Sequence, residues 1–276
     1  MKKARLAILD MNNNTPNLGL ASIVQHVEAC SEYFDYEIFD VRGKNQIPGL
    51  EFDAYISSGG PGDPREEDGV WDVNFYAWLR SIMDFNTAHS DQKKHVFLIC
   101  HSFQMGVLFF QTGFLRKRFH ISFGIFPCYL TGNGIHEKLF DGLPNPIYCA
   151  DFRNYEVVWP HFESKSDVYP KVLAVEQLDV TKDRERAIMA IRFTPEIIGT
   201  QFHPEAYAEG MYQYFNQEER SLQVTSEHGE AKLNQMIRDL KHPKKIALTN
   251  QIILPNFLHQ CIDEYYNQKE GIKVSA

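Results

Sequence analysis

One cysteine in this sequence stands where a nucleophile would be expected. Residues 96–99 are apolar and run directly into Cys100, with His101, Ser102 and Gln104 immediately behind it. The apolar run predicts a strand and the following residues a helix, so the thiol lies at a helix N-terminus. Backbone N–H groups and the helix dipole at that end lower a thiol pKa and stabilise an oxyanion. The alternative is a small buried hydrophobic residue at a strand end.

A base for this thiol is predicted in the segment QFHPE, residues 201–205. Pro204 favours an extended backbone at His203, and residues two apart in an extended chain face the same side. Glu205 can therefore reach the imidazole, fix its tautomer and leave the other nitrogen for the thiol. His101 is a poorer candidate because neighbouring side chains diverge at a tight turn. A surface His-Pro turn is the alternative interpretation of this segment.

A third candidate segment is SSGGPGDP, residues 57–64, which follows a predicted strand. Consecutive glycines let a backbone approach a ligand closely and direct its N–H groups toward it. No Lys-Ser or Lys-Thr pair follows at the spacing of a phosphate-binding loop. The alternative is an ordinary turn.

Alternating elements in the first half of the chain would position these groups. We predict strands at residues 5–10, 36–42, 52–58 and 95–100, and helices at 18–30, 70–85 and 101–113, the last one stopped by Gly113. Strands that alternate with helices imply a parallel sheet, and near-continuous apolar strands fit burial on both faces. Helical periodicity in the second helix predicts the core contacts Val70, Phe75, Trp78, Leu79 and Ile82.

The pattern changes after Thr112. Short strand-like runs at residues 155–160, 171–177, 187–193 and 197–203 predict a mixed or antiparallel excursion that returns to the sheet. From about Ala206 apolar residues recur at helical spacing, and Pro255 marks a predicted helix start. We therefore divide the chain into a domain over residues 1–207 and a C-terminal helical extension over 208–276. Its apolar stripes predict a packing surface, with a lid or docking arm as the alternative.

Composition limits the cellular compartment and the binding partners that are expected for this chain. The chain has 28 Lys and Arg against 36 Asp and Glu, a net charge of −8, which argues against nucleic-acid binding. Its five widely spaced cysteines contain no C-x-x-C pair, so neither a metal site nor a disulfide framework is predicted. The N-terminal apolar run is too short for a signal peptide, and none approaches a membrane span. We expect a cytoplasmic protein that does not bind a membrane.

The segments SGGPGDP, LICHSFQ and FHPE, in this order, resemble the class I glutamine amidotransferase family over roughly residues 5–207. The family's nucleophile motif reads G-x-C-x-G-x-Q and its catalytic pair H-P-E. The resemblance implies a flavodoxin-like α/β fold, with a parallel or mixed sheet flanked by helices. It also implies that Cys100 attacks the side-chain amide of glutamine, that His203 moves protons and that Glu205 orients His203. No cofactor or metal is implied.

The resemblance also implies an oxyanion and substrate site. Gly60 and the backbone N–H of His101 would hold the oxyanion, and Gly62 and Gln104 would grip the glutamine. The family places a His-Ser or similar pair where residues 153–158 lie, and we align it with two further residues, Asn154 and Tyr155.

Three departures from the family pattern bear on this site. Leu98 and Ser102 stand where the family has glycines, and side chains there are expected to alter the turn or narrow the pocket. Arg153 introduces a charge that could bind a carboxylate or form a structural ion pair.

Three hypotheses about function remain open. The first is a glutamine amidotransferase or glutaminase that releases ammonia to a separate synthetase partner, because the S-G-G-x-D-S adenylation loop is absent. The second keeps the triad but acts on γ-glutamyl amides or peptides. The third is a non-catalytic binding or regulatory module, against which the full set of Cys100, His203 and Glu205 argues.

Overall fold

One mixed sheet of nine strands forms the centre of the described chain. The computed structural model describes residues 2–13, 15–66, 68–159, 162–163, 165–178 and 185–270. The strands are β1 (Ala4–Asp10), β2 (Phe34–Asp40), β3 (Ala54–Ser57), β4 (His95–Ile99), β5 (Phe114–Leu130), β6 (Ile147–Val158), β7 (Lys171–Glu176), β8 (Ile188–Arg192) and β9 (Ile197–Thr200). The helices are α1 (Leu18–Ala29), α2 (Val41–Lys44), α3 (Trp71–Ala88), α4 (His101–Phe110), α5 (Ala208–Phe215), α6 (Glu218–His228), α7 (Glu230–Leu240) and α8 (Ile246–Glu270).

Parallel and antiparallel strands occupy different halves of this sheet, in the order β2-β1-β3-β4-β9-β8-β7-β5-β6. Strands β2, β1, β3, β4 and β9 are parallel neighbours. Strands β8, β7, β5 and β6 are antiparallel additions beyond β9. The predicted excursion and its return are thus observed, and β9 brings the chain back beside β4.

Helices cover both faces of the parallel half. On one face α3 and α4 bury an apolar layer against β1, β3 and β4 that includes Phe75, Trp78 and Phe103. On the other face α1 and α8 bury Ile23, Val27 and much of the apolar side of α8 against the same strands. A third apolar cluster joins α5, α6 and α7 to β5 and β6. Burial on both faces explains why the central strands are continuously apolar.

The sequence predicted the alternating elements but missed the longest strand. Strand β5 spans 17 residues and pairs with β6 and β7. Its basic residues made it look unlike a strand, because charged side chains argue against burial when the acidic residues that pair with them are not known. Arg118 pairs with Glu156 and Glu176 on the neighbouring strands, with shortest distances of 2.6 and 2.8 Å. The cross-strand carboxylates neutralise the charge that made this segment look unlike a strand.

Three local predictions were wrong. Val70 was expected in the core but is 53% exposed, because it precedes the first turn of α3. Helix α4 ends at Phe110 with Gln111 in the left-handed conformation, before Gly113. Pro255 lies inside α8 and does not start it. The neighbouring Leu254 is fully buried, and such packing on the sheet outweighs the roughly 3 kcal/mol by which proline disfavours a helix interior.

The C-terminal stripes pack as predicted. Met236 and Leu240 lie in the cluster with β5 and β6, while Phe257, Leu258 and Cys261 lie against the sheet. Among the described residues, no helix combines the length and apolar character that a membrane span requires. The division of the chain at residue 207 stays a prediction.

The packing of α8 gives a direct stability prediction. Leu258→Ala removes a fully buried side chain from the cluster on the sheet, so unfolding free energy should fall by about 2–5 kcal/mol. Urea titration followed by circular dichroism measures this change. The matched control is Leu222→Ala on α6, where the side chain is 63% exposed and the change should stay within about 0.5 kcal/mol. Equal effects of the two substitutions would contradict the packing of α8.

Candidate active site

Cys100 occupies the turn between β4 and α4, near the middle of the sheet. Its backbone has φ 51° and ψ −100°, values that residues other than glycine adopt only at a cost of about 1–3 kcal/mol. The cysteine N–H donates to the carbonyl of Thr200 at 2.8 Å, and its own carbonyl accepts from Gln104 N–H at 3.0 Å. Both neighbouring elements thereby hold this conformation, and the side chain is 8% exposed.

Leu98 fits at the strand end because glycines elsewhere leave space for it. A Cβ atom added to Gly106 would lie 2.7 Å from Leu98 Cδ1. A Cβ atom added to Gly199 would lie 2.8 Å from the carbonyl oxygen of Leu98 and 3.1 Å from its Cβ. A leucine therefore stands two residues before the cysteine, where the family has a glycine, and glycines of α4 and β9 leave space for its side chain. The expected disturbance of the turn is relieved in this way.

Ser102 is accommodated by hydrogen bonds. Its Oγ donates to the carbonyl oxygen of Ser58 at 2.7 Å and also lies 2.7 Å from Ser57 Oγ. Ser58 Oγ in turn accepts from the N–H of Met11 at 3.0 Å. A buried hydroxyl without partners would destabilise the site, whereas this one ties α4 to the end of β3. The serine thus joins the cysteine turn to the glycine loop.

His203 reaches the same point from β9. The strand ends at Thr200, and the N–H of His203 then donates to the carbonyl of Ala150 on β6 at 3.0 Å. Nδ1 of the ring lies 2.7 Å from Glu205 Oε1, so the spacing of two residues brings the pair together as expected. Glu205 is only 3% exposed.

The glycine loop closes one edge of the imidazole. A Cβ atom at Gly59 would lie 2.8 Å from His203 Cε1 and 3.3 Å from Cys100 Cβ. Any side chain at this position would displace the histidine or the cysteine. Gly59 is therefore a residue of the site that sequence analysis did not single out, although it lies within the predicted loop.

Electrostatics link the three side chains. Burial disfavours a charged imidazole, but the Glu205 carboxylate, the Cys100 sulfur and hydrogen bonds to both hold the pKa of His203 well above its usual 6.5. A protonated ring beside a cysteine and a carboxylate can stabilise a thiolate and donate a proton. This arrangement is chemically suited to a nucleophilic cysteine with an acid–base histidine.

The predicted oxyanion residues lie on the two segments that adjoin the cysteine, the start of α4 and the glycine loop. His101 is the first residue of α4, where backbone N–H groups point out of the helix end, and its ring packs 6.3 Å from Trp71. Gly60 lies close to the Met11 carbonyl, and Gly62 has a φ of 96° in the same loop. Their roles in binding stay predictions.

Gln104 is not directed freely at a substrate cavity. It is 3% exposed, and its amide nitrogen donates to Gln201 Oε1 at 2.9 Å and to the carbonyl of Tyr155 at 3.4 Å. The Gln201 amide nitrogen lies 3.9 Å from Cys100 Sγ, within hydrogen-bond range for sulfur. A contact between Gln104 and a substrate stays a prediction, and the side-chain amide that reaches the thiol is that of Gln201.

Tyr155 borders the glycine loop, while Asn154 is exposed on β6. The tyrosine hydroxyl donates to Asp63, and its ring lies 5.3 Å from the Arg65 guanidinium. Hydrogen bonds from Arg65, assisted by Tyr155, lower the pKa of Asp63 to about 2. Tyr155 therefore connects β6 to the loop, and a substrate-binding role for either aligned residue stays a prediction.

Arg153 forms a structural ion pair. Its Nε donates to both carboxylate oxygens of Asp151, at 2.9 and 3.0 Å, and both side chains are 2% exposed. A further nitrogen donates to the Tyr155 carbonyl at 3.3 Å. Of the two roles open for this arginine, the structure favours the ion pair within β6.

Two positioning residues were missed by sequence analysis. Gln201 lies two residues before His203, and the alternation that predicted Glu205 could have predicted it too. Asn250 of α8 donates to the backbone carbonyl of Glu205 at 3.0 Å. No local pattern could have revealed Asn250, because the contact joins residues 45 positions apart.

Comparisons with known proteins identify the family and the fold. A family model described as glutamine amidotransferase class-I matches residues 20–219. No curated protein sequence matches significantly. A solved glutamine amidotransferase from Thermotoga maritima has a TM-score of 0.68 at 12% identity, covering 95% of this chain and 100% of that one.

Two further solved structures share the fold. A putative GMP synthase subunit from Thermoplasma acidophilum has a TM-score of 0.58 at 17% identity, over 98% of this chain and 100% of that one. The glutaminase domain of Trypanosoma brucei CTPS, with bound acivicin, has a TM-score of 0.52 at 16% identity, over 74% and 86%. Because the family model spans more than half of the sequence, this chain belongs to the class I glutamine amidotransferase family.

Proposed function

We propose that this protein hydrolyses the side-chain amide of glutamine through a cysteine thioester and releases ammonia. The observation that carries the proposal is the contact of His203 with both Cys100 and Glu205 at the end of β4. A cysteine with only a packing role would not require a half-buried, carboxylate-bound histidine beside it. Cys100 is the nucleophile, His203 the acid–base group and Glu205 the group that orients it.

The first half of the reaction forms the thioester. His203 takes the thiol proton, and the Cys100 thiolate attacks the amide carbon of glutamine. Negative charge develops on the amide oxygen, and the backbone N–H groups of His101 and Gly60 stabilise it. His203 then donates its proton to the leaving nitrogen, and ammonia departs. Glu205 is hydrogen-bonded to Nδ1 of His203 and so leaves the other ring nitrogen to exchange protons.

The second half releases glutamate. Water attacks the thioester carbon as His203 accepts its proton, the C–S bond breaks, and His203 returns the proton to the sulfur, which restores the Cys100 thiol. No redox step occurs, and the balance is glutamine plus water to glutamate plus ammonia. The residues named here complete this proton balance without a cofactor.

The released ammonia goes to a separate synthetase in this proposal. A synthetase partner is supported by the fold, which is shared with one CTPS glutaminase domain and with one protein named as a putative GMP synthase subunit. The chain thus acts as the amide-hydrolysing component in the cytoplasm, as its composition predicts.

The identity of the nucleophile is tested by Cys100→Ala. Glutamate release from glutamine should fall to the uncatalysed rate, because the substitution removes the sulfur that forms the thioester. A coupled glutamate dehydrogenase assay measures the rate, and circular dichroism verifies folding. The control is Cys30→Ala at the C-terminal end of α1, and this variant should retain full activity. Retained turnover in a folded Cys100→Ala protein would end the proposal.

The choice of acid–base group is tested with histidine variants. His203→Ala should lower kcat by about 100- to 10,000-fold, the usual contribution of such a group. His101→Ala should lower it far less, because the backbone N–H is kept. His120→Ala, on the exposed part of β5, is the surface control. Equal losses in the His203 and His101 variants would leave the choice of base unsupported.

The role of Glu205 is tested by the titration of His203. Glu205→Gln removes the carboxylate that favours the protonated ring, and burial then dominates, so the pKa of His203 should fall. NMR of the labelled imidazole during a pH titration measures it. Glu209→Gln on α5 is the matched control and should leave the titration unchanged. An unaltered His203 titration in Glu205→Gln would contradict the proposed orientation.

A further inference from the structure

An apolar cavity of about 200 Å³ lies directly beside the catalytic histidine. It is formed where the start of α1, strand β6 and helix α5 meet. Aromatic and apolar side chains dominate its walls, among them Phe152, Tyr207, Met211, Tyr214 and Phe215. His203 and Glu205 complete the lining.

The position of this cavity relates it to the leaving group. In amide hydrolysis the acid that donates to the leaving nitrogen must lie within hydrogen-bond reach of it. That acid is His203 in the proposed function, so a substituent on the leaving nitrogen must lie beside the imidazole. Gly59 closes the Cε1 edge of the ring and is not part of the cavity wall. The cavity is a described space beside His203 that can receive such a substituent.

The chemistry of the walls fits an amine with an apolar group. Ammonia has no apolar surface and gains nothing from a space lined by aromatic rings, whereas an aliphatic or aromatic substituent is stabilised there. Aromatic rings also attract a cationic amine.

We propose that the same site also hydrolyses γ-glutamyl amides whose nitrogen carries an aromatic or bulky aliphatic group, which occupies this cavity. The proposal rests on the function proposed above and specifies the substrate class of the same site. Phe152 illustrates the fit, since its ring centre lies 6.4 Å from that of His203 and forms a wall continuous with the imidazole.

The reaction balances in the same way as glutamine hydrolysis. Cys100 Sγ forms a bond to the γ-carbon, the C–N bond breaks, and His203 gives its proton to the departing nitrogen, which leaves as a primary amine. Water then cleaves the thioester, which releases glutamate and restores the thiol. Nothing is oxidised or reduced.

The direct test compares γ-glutamyl benzylamide with glutamine as substrates of the full-length protein. Glutamate release is measured for both, and kcat/KM should be at least about 10-fold higher for the benzylamide, since even one added methylene in an apolar pocket is worth that much. A benzylamide that is hydrolysed no faster than glutamine would overturn this inference and leave the proposed function standing. Hydrolysis of neither compound would overturn the proposed function itself.

Pocket variants then locate the substituent. Met211→Trp fills the cavity from α5, so the ratio of kcat/KM for benzylamide over glutamine should fall by at least about 10-fold. Leu222→Trp introduces the same side chain at an exposed position on α6 and should leave the ratio as in the wild type.

A second variant covers the case in which the filled cavity prevents folding. Tyr214→Ala widens the cavity, and preference should shift toward γ-glutamyl naphthylmethylamide over the benzylamide. Melting temperature and circular dichroism establish whether each variant is folded. A substrate ratio that is unchanged in every folded pocket variant would overturn the assignment of the cavity to the leaving group.

Discussion

The left-handed backbone at Cys100 is the constraint on which this site depends. A cysteine with φ 51° is strained, and hydrogen bonds hold it on both sides, from its N–H to Thr200 of β9 and to its carbonyl from Gln104 of α4. The conformation lifts the thiol out of the helix and toward the glycine loop. Gly106 and Gly199 provide the space that lets Leu98 stand where a glycine would make the turn easier. The strained turn and its packing therefore form one unit.

The sheet order explains how residues far apart in sequence meet at this turn. Strand β9 pairs with β4 in parallel, with Thr200 opposite Ile99, so the chain leaving β9 passes beside the cysteine. His203 is then held by Ala150 of β6, and Glu205 by Asn250 of α8. The antiparallel strands and the C-terminal helix thus contribute contacts to the site without supplying its reacting groups. Strand β6 also forms, with α1 and α5, the walls of the apolar cavity beside His203.

The sequence predicted those features of the fold and the site that are decided by residues close to one another in the chain. Buried apolar strands, the strand-to-helix turn at Cys100 and the alternation of His203 and Glu205 were all visible. The charged strand β5 and the proline inside α8 were not, because cross-strand ion pairs and burial against the sheet decide them. The apolar cavity was equally hidden, since its walls come from α1, β6 and α5 and no single segment carries the pattern.

Detection of the acyl-enzyme tests the central claim most directly. The protein is mixed with glutamine or γ-glutamyl benzylamide, quenched in acid within the first turnovers and digested, and the cysteine peptides are examined by mass spectrometry. The account predicts a γ-glutamyl group on the peptide that contains Cys100 and on none of those that contain the other four cysteines. Release of glutamate and amine with no acyl group on Cys100 would contradict it.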